Sequence, residues 1–289
     1  FPGPCSRAVA EYFPRELRPA FTTGILSSNY IGSAMAPVVI VPLILWFGWR
    51  GMFQILGIVG LVYVFFYALF VKQTKPQEET EEDKSKKNKY FLHLLKFSLI
   101  WKLILCAFCI SCINKGLDAW MPTYLIAERG INLKAVGYLT PIPFIASFLS
   151  TAICGWVMNK YFDKKENWMI VICAAMTAIF LYFMYNAETI MWIVIFQCGV
   201  YFFKACIMGT AVAIVLKIVT GSIAGCTSTL INMGGQVAGF ISPIIMGYLV
   251  YAFNGSFNAV FYYLMGVAAL CAISALLIPT RKEDMLDLE

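Results

Sequence analysis

From residue 20 to residue 279 the sequence is a succession of apolar runs, each about as long as a bilayer is thick, divided by polar connections of which all but one are short. A helix needs about 20 predominantly apolar residues to cross the hydrocarbon. Within lipid every backbone N–H and C=O must be satisfied inside its own segment, so runs of this length read as spanning helices. The pattern predicts an incomplete helix over 1–13, then eight spans over 20–46, 51–72, 98–127, 133–160, 167–187, 189–217, 222–251 and 256–279. The expected fold class is all-α, a polytopic membrane protein. Composition agrees: 60% of residues are apolar and 13% charged, with a mean hydropathy of +0.75. A water-soluble core does not need that much apolar surface.

The net charge of +6 comes from basic residues lying between the apolar runs. They form no dense patch, so the partner they indicate is the lipid bilayer and no nucleic acid. Lys and Arg concentrate in the connections at 14–19 (Arg15, Arg18), 73–96 (among them Lys75, Lys84 and Lys96) and 160–166 (Lys160, Lys164, Lys165), and in the tail (Arg281, Lys282). Alternate connections hold only Arg50, Arg129 and Lys134, or no basic residue. The positive-inside rule makes the first set cytoplasmic, the C-terminus included, in a plasma or inner membrane. The one long polar stretch, "KQTKPQEETEEDKSKKNKY", carries both charge signs and reads as a flexible linker. The chain opens on Phe1 with no signal peptide, and is expected to be a fragment whose N-terminal part is missing.

An internal repeat bears on the architecture. Residues 26–53 and 232–261 each combine a helix rich in small residues, a proline (Pro37, Pro243) and a phenylalanine ten positions on (Phe47, Phe253) beside glycine. Parallel halves of this kind mark transporters.

The opening "FPGPCSRAVAEYFPRELRPA", "FGWRGMF" at 47–53, "WMPTYL" at 120–125, "GWVMNKYFDKK" at 155–165 and "NMGGQVAGFISPIIMGYL" at 232–249 follow one another in an order and spacing that resemble the major facilitator superfamily. Within it they resemble the anion:cation symporter family, which includes bacterial hexuronate, glucarate and galactonate permeases. Asn159 stands where the loop pattern usually has Asp, and Leu17-Arg18 replaces a usual Glu-Arg. The resemblance implies the major facilitator fold, two helical bundles with about the first three helices missing. Residues 1–72 would be the remainder of the N-terminal bundle (the end of helix four, helices five and six) and 73–97 the cytoplasmic linker. Residues 98–279 would form the C-terminal six-helix bundle (helices seven to twelve), and 280–289 a cytoplasmic tail. The charged residues that relatives carry in helix one and early helix four have no counterpart in this chain.

An ionisable group deep in a membrane helix costs roughly 2.5–3.5 kcal/mol on insertion scales, which makes it a functional hypothesis by default. Three stand out: Lys115 and Asp118 in span 98–127, and Lys204 near the centre of span 189–217. Spacing of three puts Lys115 and Asp118 on one face, either as a structural pair or as a switch. Lys204 has no acid in its own span, so its partner is another helix or a bound anion. An ammonium in a dry cavity suits a carboxylate substrate, and a nearby acid that gains and loses a proton couples binding to an ion gradient. The substrate-binding candidates are therefore Lys204 and Lys115, with Tyr201, Gln197, Asn29, Tyr30, Asn232 and Gln236 to read hydroxyls, and Asp118 for proton coupling. For the uncharged residues, hydrogen bonding between helices is the competing reading.

Gly235, Gly239 and Gly247 are expected to let helices approach closely, and Pro243 to bend its helix. Cys106, Cys109 and Cys112 read as small packing residues rather than a metal site, and no metal or cofactor is expected. Together these features predict a secondary active transporter, not an enzyme: symport of a small organic anion such as a sugar acid with a coupling cation, H+ or Na+, by a monomer. The alternatives are efflux of drugs or lipids, to which a central lysine is ill suited, and an integral membrane enzyme. A single histidine with no acidic motif beside it argues against the enzyme.

Overall fold

The computed structural model describes residues 18–70, 97–162, 165–218 and 224–278, and all its regular structure is helical. The expected stump at 1–13, the tail, His93, Lys164 and all of the linker but Phe97 lie outside the described residues. The helices are α1 (Arg18–Phe70), α2 (Ser98–Ala127), α3 (Leu133–Leu139), α4 (Pro141–Tyr161), α5 (Glu166–Asn186), α6 (Ile190–Ile218), α7 (Ala224–Ala252) and α8 (Asn258–Leu276). Among the described residues seven segments are long and apolar enough to cross a membrane.

The first of these, 28–70, holds 43 residues. At 1.5 Å per residue that is about twice the thickness of the hydrocarbon. Gly48 interrupts it with φ 68° and ψ 173°, a backbone conformation that L side chains avoid. The break falls where the sequence separates spans 20–46 and 51–72. The second copy of the repeat ends alike: Phe253 is followed by Asn254 (φ 56°) and Gly255 (φ 88°), which turn the chain from α7 into α8. Residues 57–70 of α1 are exposed throughout and almost wholly apolar, as a surface solvated by lipid would be.

The expected span 133–160 divides into α3 and α4 at Thr140. Asn132 caps α3, its side chain accepting from the Ala135 N–H at 2.8 Å. Pro141 opens α4 without an N–H to continue the ladder.

Helices α2 to α8 pack on one another, with α1 lying against α3 and α4. The most extensive contact is α2 against α7, and glycine makes it possible. A Cβ at Gly234 would stand 2.8 Å from Ile104, one at Gly235 2.7 Å from the Ser111 hydroxyl, and one at Gly247 3.0 Å from the Trp120 ring. The expectation for Gly235, Gly239 and Gly247 thus holds, with Gly234 and, from the α2 side, Gly116 added. Pro243 lies inside a continuous α7, and its carbonyl accepts the Trp120 indole N–H at 3.0 Å.

The buried apolar residues form two clusters. One gathers Ile100, Cys106, Cys109, Ile170, Cys206 and Cys271. The other gathers Leu117, Tyr124, Leu181, Tyr201, Phe261 and Leu264. On α6 the two clusters meet between Tyr201 and Cys206, and buried Lys204 lies in that interval.

Candidate functional site

Lys204 is fully buried, its side chain 2% exposed. An ammonium at that depth needs an opposite charge, and finds it across a helix boundary: Nζ donates to the Asp118 carboxylate of α2 at 2.7 Å. Nζ also lies 3.4 Å from the centre of the Tyr201 ring, a cation–π contact one turn back on α6. Tyr201 is itself fully buried, with Asp118 and Gln197 as its polar neighbours. Gln197, Tyr201 and Lys204, spaced four and three apart, therefore lie in one polar stripe on α6, and the stripe faces inward.

Neighbouring helices hold that stripe in place. Phe144 of α4 packs edge-on against Tyr201, ring centres 5.2 Å apart. Ser147 and Ser150 of α4 donate to the carbonyls of Tyr201 and Phe202 at 2.9 and 2.6 Å, and the Cys154 thiol reaches the Cys206 carbonyl at 3.4 Å. These contacts bracket Lys204 and fix the rotation of α6 about its axis. Sequence reasoning missed them, because a serine that faces a neighbouring helix looks no different from one that faces its own.

The pair that forms is not the expected one. Asp118 turns to Lys204 of another helix rather than to Lys115 of its own turn. Among the described residues Lys115 has no acid or hydrogen-bond partner; it is exposed, and its aliphatic stem lies over Gly239 of α7. The order of the two lysines is thereby reversed: Lys204 has its counter-ion and Lys115 is free. Asp118 is the more open member of the pair, its side chain 35% exposed.

Tyr30 of α1 comes within electrostatic range of Asp118. Asn29 is exposed, with no contact to the pair. Asn232 and Gln236 are exposed on α7 and lie 3.5 Å apart, bonded to each other rather than to the lysines. Cys106, Cys109 and Cys112 are buried in the core. Lys160 stacks over Trp156 and Tyr161 at the end of α4, 4.7 and 5.3 Å from the ring centres.

A second polar cluster closes the turn after α2. The Glu128 carboxylate accepts the Phe257 N–H at 3.1 Å, and Arg129 reaches the Tyr124 hydroxyl at 2.8 Å and the Tyr185 carbonyl at 3.3 Å. Tyr124, from the "WMPTYL" stretch, packs edge-on against Phe257 and Phe261. These contacts join α2, α5 and α8 at one end of the bundle.

Spanning helices packed around the Lys204–Asp118 pair define an α-helical membrane protein of the polytopic class. A sequence model of the Major Facilitator Superfamily matches residues 1–243, and the chain belongs to that superfamily. The probable galactarate/D-glucarate transporter GudP of Escherichia coli (strain K12) is 26% identical over 179 residues, 59% of this chain and 38% of that protein. The protein of the same name from Bacillus subtilis (strain 168) is 25% identical over 308 aligned positions, 96% of this chain and 66% of the relative. A D-galactonate transporter of Escherichia coli O6:H1 is 24% identical over 165 residues, 55% of this chain and 37% of that protein. The chain thus spans between about one third and two thirds of the length of these relatives, which are transporters, not enzymes. Among solved structures, a bacterial homologue of the human lysosomal transporter Spinster, in an inward-facing and occupied conformation, has a TM-score of 0.61 at 14% identity, covering 95% of this chain and 70% of that one. That likeness shows the fold.

Proposed function

We propose that the protein is a proton-coupled symporter of a small organic anion, a sugar acid, working by alternating access. The observation that carries this reading is the 2.7 Å pair between Lys204 and Asp118. With Asp118 ionised, the pair is self-neutralised and Lys204 is closed to ligands. A proton on Asp118 removes the counter-charge, and a substrate carboxylate becomes the partner Lys204 needs. Proton and anion then bind together, as symport requires. Relatives named for galactarate, D-glucarate and D-galactonate support a sugar acid as cargo. In the two-bundle plan α1 belongs to the first bundle and α2 to α8 make up the second.

Asp118→Asn in the full-length protein tests this. Uptake of radiolabelled hexuronate, aldonate and glutamate is measured in proteoliposomes with and without an imposed proton gradient. The variant is expected to lose gradient-driven accumulation, by about tenfold or more, while keeping exchange of internal for external substrate. Unchanged accumulation would remove Asp118 from coupling. Transport of none of the three acids by the unmodified protein would end the anion reading.

A further inference from the structure

Lys204 has two partners of different kinds, and only one of them can be lost to a proton. The Asp118 carboxylate at 2.7 Å is titratable. The Tyr201 ring, whose centre lies 3.4 Å from Nζ, attracts a cation through its quadrupole and does so whether or not Asp118 is charged. The ring is also held in place. It belongs to a side chain 1% exposed, Phe144 of α4 packs edge-on against it with ring centres 5.2 Å apart, and Ser147 of α4 donates to the Tyr201 carbonyl at 2.9 Å. Lys204 follows Tyr201 by three residues on α6, so ring and ammonium sit on one face of a single helix.

Resting on the symport reading above, we propose that Tyr201 is a positioning residue whose ring holds the Lys204 ammonium in the interval after Asp118 has taken a proton and before a substrate carboxylate has arrived. Without the ring, Lys204 in that interval would be an unpaired charge at 2% exposure. The resting pair can be neutral overall in two ways: ammonium with carboxylate, or amine with carboxylic acid, the second reached by passing one proton across the 2.7 Å hydrogen bond. Either arrangement takes one proton from solution to become ammonium with carboxylic acid, the state receptive to an anion. The ring attracts the ammonium and not the neutral amine, so it favours the receptive state over the amine–acid arrangement without gaining or losing a proton itself. The part of Tyr201 at work is then its ring, not the hydroxyl that the sequence offers for reading substrate. Around Lys204, α2 contributes Asp118 and Lys115 as charged groups, and α1 adds Tyr30 beside Asp118. The thiols of Cys154 from α4 and Cys173 from α5 lie beside Cys206, and α7, which also touches α6, holds no charged residue.

The test keeps the shape of the ring and changes its electrostatics. In the full-length protein in proteoliposomes, Tyr201 is replaced by phenylalanine and by difluoro- and trifluorophenylalanine, which weaken the attraction for a cation stepwise, with Tyr201→Leu as the end of the series. Exchange of internal for external substrate is followed against pH, equal on both sides, using whichever of hexuronate, aldonate and glutamate the unmodified protein carries. Exchange needs the protonated site, so a weaker hold on the ammonium has to be made up by more acid, and the half-maximal pH moves down. Tyr201→Phe is expected to keep the profile of the unmodified protein, the fluorinated variants to move it in step with fluorination, and Tyr201→Leu to move it by about one pH unit, the scale of a desolvated cation–π contact. A ring that only fills space would leave the profile in place or lower exchange equally at every pH, and either result overturns the assignment. So does a Tyr201→Phe profile displaced as far as that of Tyr201→Leu, which would make the hydroxyl the working group. The fluorinated series decides the matter if Tyr201→Leu does not fold. If the unmodified protein carries none of the three acids, or carries them without regard to pH, the symport reading falls and takes this one with it. If its transport follows pH but ignores fluorination, only the role of the ring falls.

Discussion

Lys204 keeps a charge at 2% exposure because two groups share the work: the Asp118 carboxylate at 2.7 Å and the Tyr201 ring, whose centre lies 3.4 Å from Nζ. Removing one partner of a buried pair leaves the other uncompensated, typically at a cost of 3–5 kcal/mol. Asp118→Ala is therefore expected to destabilise the protein by about 3 kcal/mol, at the low end because the Asp118 side chain is 35% exposed and partly screened. The double variant Asp118→Ala/Lys204→Met should recover much of that stability and none of the transport. Thermal unfolding in detergent measures the first and uptake the second. A double variant no more stable than the single one would mean that packing, not charge, dominates the site. The sequence showed all three charges, yet which lysine takes Asp118 depended on a distance between α2 and α6 that no spacing along the chain encodes.

At the scale of the element, α7 lies against α2 through its glycines, and the fit is specific. Gly234 has Ile104 Cγ2 at 2.8 Å from where a Cβ would be, whereas Gly266 of α8 has nothing within 4 Å. Gly234→Ala must push a β-branched side chain held by its own helix, at about 1–3 kcal/mol. Gly266→Ala meets open space and gains helix propensity, about 1 kcal/mol in the opposite direction. Thermal inactivation of the two variants should move in opposite senses, and a common direction would contradict the close α2–α7 packing. Most of this was legible beforehand, since a small-residue stripe at helical spacing in an apolar run announces a close helix contact. Which helix it meets was not legible. Nor was the division at Thr140, although the proline that follows is a recognised breaker.

For the whole molecule, the alternation of basic and neutral turns makes a prediction about sides. Cysteines introduced at Lys165 and at Glu188, the two ends of α5, should react with an impermeant maleimide from opposite faces of sealed vesicles, Lys165 from the cytoplasmic one. Seven native thiols, at Cys106, Cys109, Cys112, Cys154, Cys173, Cys206 and Cys271, are buried; the other three, Cys5, Cys198 and Cys226, are replaced by serine to keep the background low. Labelling of both from one face would end the assigned topology. The sequence by itself determined the class, the number and bounds of most spans, the Gly48 break and the polar stripe on α6. Each of these follows from a property carried along one segment: apolar length against bilayer thickness, the need to satisfy the backbone in lipid, and the helical period. Only the tertiary structure decided that Asp118 belongs to Lys204, that Lys115 stands free over Gly239, and that serines of α4 orient α6. Those are relations between helices, and an apolar helix surface offers many rotations of similar energy until packing and one buried charge select among them.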